Sequence, residues 1–75
     1  MPVFPEITEL FATRIHKPNQ NLSFIGKAEI GSVDSGAVWQ IQRITVASKV
    51  TSFLWANGND EFTNVWDDRE SLSYS

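Results

Sequence analysis

The side chains best able to do chemistry gather near the C-terminus, where Asp60, Glu61, Asp67, Asp68 and Glu70 stand against Arg69 alone. Such a cluster suggests calcium ligation or paired-carboxylate acid–base work. An EF-hand loop needs oxygens at alternate positions, a central glycine and a closing glutamate, and this spacing supplies no such order. A carboxylate pair acting on a glycoside needs a concave pocket, for which a chain of 75 residues has little volume. The acids therefore read as a solvated face, with carboxylates capping a helix start where the dipole favours negative charge. His16 is the sole histidine and cysteine is absent, which removes disulfides and thiolate metal sites together. Beside Arg14 on the polar side of a strand, His16 reads as a surface residue. Gly26, Gly31 and Gly36 are too dispersed to cradle a phosphate. The reading is of a protein that is no enzyme and has no metal, no cofactor and no small-molecule substrate.

Aromatic residues carry more weight, with three tryptophans, five phenylalanines and one tyrosine in 8.5 kDa. That load argues for an ordered chain. Trp39 and Trp55 read as core rather than as a platform for bases or sugars, because only Arg43 shares their expected face. Arg43 opposite Phe53 suggests a cation–π contact.

Positioning these residues falls to short β elements. The run from Phe11 to Lys17 alternates Phe11, Thr13 and Ile15 against Ala12, Arg14 and His16, as a half-buried strand does. Pro18 fits the second position of a type I turn, and the chain returns with Leu22 and Phe24 on one face, giving a first hairpin. Glu29 to Gly36 reads as a loop of glycine and Asx residues. AVWQIQRITV and VTSFLWA then form a second hairpin, and Asn57–Gly58 ends it.

With Ala47, Ser48 and Lys49 as the loop, counting sets Arg43 opposite Phe53 and Ile41 opposite Trp55. One face then gathers Trp39, Ile41, Phe53 and Trp55 as core. The other carries Val38, Ile44, Val46, Val50 and Leu54, and is apolar enough to serve as a protein interface. A one-residue slip would exchange the two faces. After Asn59 the period changes: Phe62, Val65, Trp66, Arg69 and Leu72 recur at helical spacing, so a short helix or ordered turn should add Phe62, Val65, Trp66 and Leu72 to the core. At the other terminus Val3, Phe4, Ile7 and Leu10 are too apolar for a solvated tail. Pro2 and Pro5 bar them from a central strand, so residues 1–10 are expected to form an extended arm that docks on a neighbouring subunit, the alternative being a strap folded back over the chain's own sheet.

The net charge is −3, and no basic footprint for nucleic acid is present. No apolar run approaches a membrane span, and the first residues lack the pattern of a signal peptide. Synthesis in a cytoplasm is therefore expected. The domain assignment is an arm, 1–10, and one small mainly β domain, 11–75, with an antiparallel sheet of about four strands. A core this small stands near the limit of independent folding, and a partner subunit is the staple the composition leaves open.

The succession FIGKAEIG, AVWQIQRITV, FLWANGNDEF and NVWDDRESLSYS, within residues 12 to 75, resembles a group of small proteins of tailed bacteriophages and prophages. The most specific part runs from Trp55 through Trp66, Asp67, Asp68 and Arg69 to Tyr74. The resemblance implies a virion component: a minor capsid, connector or tail protein whose partners are other virion proteins and copies of itself. It carries no catalytic residue. The rival readings are an intracellular phage regulator that binds a host protein through its acidic segment, and a carbohydrate-binding tail module with exposed Trp39 and Trp55.

Overall fold

The computed structural model describes residues 11–75. The expectations for the arm and for Val3, Phe4, Ile7 and Leu10 lie outside the described residues. The chain is mainly β, with strands β1 (Phe11–Asn19), β2 (Leu22–Glu29), β3 (Ala37–Ala47), β4 (Val50–Trp55) and β5 (Asn64–Val65), followed by a 3-10 turn, Trp66–Asp68. The four long strands form two consecutive hairpins in an antiparallel sheet of order β1-β2-β3-β4.

β3 is the longest strand. Its C-terminal part pairs with β4, and β5 takes the remaining stretch through Ala37 and Trp39.

Side-chain alternation divides the sheet into two faces. The inner face carries Phe24, Ala28, Trp39, Ile41 and Ala56, all buried, and the C-terminal segment closes over it with Trp66, Leu72 and Tyr74. β2 tapers along this face from Phe24 to Gly26 to Ala28. Its small residues leave a trough for the indoles of Trp39 and Trp66, whose centroids stand 6.0 Å apart. A Cβ on Gly26 would lie 2.5 Å from Trp66 Cε3, so only glycine admits the ring there.

Several expectations are corrected. The β3–β4 loop has two residues, Ser48 and Lys49, so Ala47 pairs with Val50, Ile44 with Phe53, Arg43 with Leu54 and Gln42 with Trp55. Both loop residues have positive φ, 52° and 66°, the signature of a type I′ turn, whose twist matches the flanking strands better than the three-residue loop assumed from sequence. The slip moves Phe53 and Trp55 away from Trp39 and Ile41, and brings Val50 and Leu54 to the inner side.

The face of β1 is also reversed. Ala12 packs against the core, whereas Ile15 is 70% exposed. Arg14 and His16 take the inner positions because their flat groups lie on aromatic rings, a use of cationic side chains that hydrophobic alternation does not register. The first hairpin turns two residues later than expected. Asn19 pairs with Leu22 around Gln20 and Asn21, and Asn19 Oδ1 accepts a 2.8 Å hydrogen bond from the Asn21 amide.

No α-helix forms among the described residues; the C-terminal element is the ordered turn. Asn64 explains the choice. Buried, it donates through Nδ2 to the Trp39 carbonyl at 3.1 Å and accepts from Asn57 Nδ2 at 2.7 Å, which locks residues 64–65 to the free edge of β3. Asn59 accepts through Oδ1 from the Glu61 amide across two residues, a turn in place of a helix start. Phe62 and Trp66 consequently part: Trp66 is 5% exposed in the core, and Phe62 stacks on Phe11 at 5.6 Å.

Candidate interaction face

The inner face is a finished structure. Three guanidinium groups lie over three rings: Arg14 on Trp39 at 5.2 Å, Arg43 on Tyr74 at 4.8 Å and Arg69 on Trp66 at 4.5 Å. Arg43 thus meets Tyr74 rather than Phe53, because the β4 register puts Phe53 on the opposite side. Arg14 also pairs with Asp34 at 3.2 Å, and Trp39 Nε1 donates to the Val33 carbonyl at 3.0 Å, so the 30–36 loop is tied down at both points.

Arg69 links the C-terminal segment to β1. Its Nε donates to His16 Nδ1 at 3.0 Å, its Nη1 donates to the Trp66 carbonyl at 3.0 Å, and its own carbonyl accepts from the Tyr74 hydroxyl at 2.7 Å. Burial pushes the Tyr74 hydroxyl up to about 12, against the opposing pull of Arg43 and Arg69. Arg43 Nε is buried without a hydrogen-bond partner among the described residues. These groups fasten the segment that closes the core. His16 is half-buried and spent as an acceptor, and among the described residues no three His, Asp or Glu side chains converge as a metal site.

The outer face is different. Alternation places Phe11, Ile15, Ile25, Ile44, Phe53 and Trp55 on it, together with Val38 and Val46. Ile15 at 70%, Phe53 at 58% and Val38 at 42% are exposed. One cross-strand row joins Ile15, Ile25, Gln42 and Trp55, and the next joins Ser23, Ile44 and Phe53. Lys27 and Glu29 are the only charged residues that β2, β3 and β4 present here.

At one end the 59–62 loop touches this face. Gln40 Nε2 donates to the Asp60 carbonyl at 2.9 Å, and Phe62 on Phe11 leaves an open groove of about 470 Å³ lined also by Glu29, Ser32 and Val38. The rest carries no cover among the described residues.

The expected sets are thus redistributed. Trp39, Ile41 and Trp66 are buried, Leu72 packs against them, and Val65 is half-buried at the edge. Of the residues expected in the core, Phe53, Trp55 and Phe62 belong to the outer side. Of those expected at an interface, Val38, Ile44 and Val46 are on the outer face, while Leu54 and Val50 point to the inner side and Val50 is 60% exposed at its far end. With Trp39 buried and Trp55 on the other face, the two indoles form no shared platform. Ile15 and Ile25 are outer-face residues that sequence reasoning missed; the signal for them was the register between β1 and β2, which needs the position of the first turn. No family model matches the chain, and no curated protein or solved structure matches it.

Proposed function

We propose that the protein is a structural component of a tailed-phage virion, a minor capsid, connector or tail protein, and acts by assembly with other virion proteins and with copies of itself. One observation carries this reading: a sheet face bearing Ile15, Ile44, Val46 and Phe53, nearly free of charge, with no cover among the described residues over most of its extent. Water-exposed apolar surface of this continuity is a feature of interaction sites, and burying it adds stability to a small core through mass action. The phage context comes from the resemblance of the tryptophan-bearing C-terminal block. No cluster of nucleophile, base and pocket competes with this reading among the described residues, because the polar side chains of the inner face are engaged in holding the C-terminal segment.

The test is quantitative mass spectrometry of purified particles, using the wild-type chain and a variant carrying Ile44→Asp and Phe53→Asp. The reading predicts many wild-type copies per particle and loss of the variant while it remains folded in cell extract. Absence of the wild-type chain from particles, with abundant early expression, supports the intracellular regulator instead.

A further inference from the structure

We propose that Asn57 is a site of spontaneous chemical modification: deamidation through the Gly58 amide, held off by the native hydrogen bonds, releases β5 irreversibly from β3. The chemistry belongs to the Asn57–Gly58 pair. The Gly58 nitrogen attacks Asn57 Cγ, so that an N–C bond forms, the Cγ–Nδ2 bond breaks and ammonia departs with the proton from Gly58. Water then opens the cyclic imide at either carbonyl, leaving aspartate or isoaspartate. Glycine, having no side chain, hinders the attack least, and no other asparagine of the chain precedes one. The fold restrains both reactants. Asn57 and Gly58 form the turn after β4 with φ of 56° and 72°, and the Gly58 N–H is directed to the Trp55 carbonyl at 3.1 Å. The Asn57 carboxamide is engaged by Asn64, with Nδ2 donating to Oδ1 at 2.7 Å. Reaction therefore requires these ties to open, although Asn57 is exposed to the water that completes it.

The product cannot restore the tie. The Trp39 and Glu61 carbonyls only accept, and Asn64 Nδ2 donates to them at 3.1 and 3.4 Å, so its Oδ1 is the atom left to face Asn57. Aspartate and isoaspartate both lack the amide donor, and their ionised carboxylate would set oxygen against Asn64 Oδ1. Turning the Asn64 carboxamide over would only move the clash to the Trp39 carbonyl. Asn64 is buried, where an acceptor left without a donor is costly. The new charge also joins Asp60 and Glu61 in the same loop. Asn64 and Val65 hold β3 through Trp39 and Ala37, so these are the residues set free.

Mass spectrometry of the full-length chain, incubated in mildly alkaline buffer with and without denaturant, tests the reaction. The peptide holding Asn57 should gain the mass of deamidation in the unfolded chain, and should gain it about tenfold or more slowly in the native one. Equal rates, or an unfolded chain that deamidates elsewhere first, would overturn the proposal. The consequence is measured on the deamidated chain, separated by its added charge and refolded beside an unmodified chain carried through the same steps. Amide hydrogen exchange should accelerate by about tenfold or more at residues 37–39 and 64–65, while the β2–β3 and β3–β4 ladders stay protected. Exchange unchanged at those residues, or protection lost throughout the sheet, would overturn it. Neither measurement depends on the proposed assembly.

Discussion

Gly26 has no side chain, and Trp66 occupies the space one would fill, so each residue explains the other. Gly26→Ala is expected to destabilise the domain by about 1–3 kcal/mol, as overpacking of a close-fitted core does, and chemical denaturation will measure it. Trp66→Ala removes the ring altogether at a cost of about 3–5 kcal/mol. That is comparable to the whole stability of a chain this short, so the variant should lose its cooperative melting transition by calorimetry. Trp66 was legible as an anchor from its apolar neighbours in sequence. Gly26 was not, because its partner lies in a distant segment. Tyr74 gives a pH signature: its hydroxyl is raised from 10.0 to about 12, chiefly by burial. A raised tyrosine favours the neutral folded form, so its contribution is fully present below pH 10 and lost as pH rises towards 12. The melting temperature should therefore fall over that alkaline range, and Tyr74→Phe should remove this part of the fall.

Among the elements, the β3–β4 turn best shows what sequence carried and what it did not. Both hairpins were legible from β-rich runs punctuated by Pro18 and by Asn57–Gly58. The turn itself was not, since Ser48 and Lys49 lack the glycine or asparagine that usually marks positive φ, and one residue of slip was enough to exchange the faces of β4. Replacing Ser48 by Asn and Lys49 by Gly should relieve this strain and raise stability by about 0.5–2 kcal/mol, read as a higher melting temperature with an unchanged dichroism spectrum. The C-terminal period misled for another reason. A helix this short is marginal by itself, and the unpaired edge of β3 at Ala37 and Trp39 offered Asn64 and Val65 better hydrogen bonds. Of the candidate interface, Val38, Ile44 and Val46 were legible from β3 alone. Phe53, Trp55, Ile15 and Ile25 required the observed registers.

At the scale of the whole molecule, the described residues give the sheet one face closed by the C-terminal segment and one left largely uncovered. The chain spends its C-terminal residues on the inner face through Trp66, Leu72 and Tyr74, and the 59–62 loop reaches only the end of the outer one. A core this small leaves a small margin of stability, and under the proposed assembly, contact with another protein surface would enlarge it. The claim that Ile44, Val46 and Phe53 form a contact surface is tested most directly by sedimentation velocity of the isolated full-length chain over a wide concentration range, beside Ile44→Asp with Phe53→Asp. The wild-type mass should climb above 8.5 kDa with concentration while the folded variant stays monomeric. A wild-type chain that remains monomeric at the highest concentration, or a variant that associates as the wild type does, would contradict it.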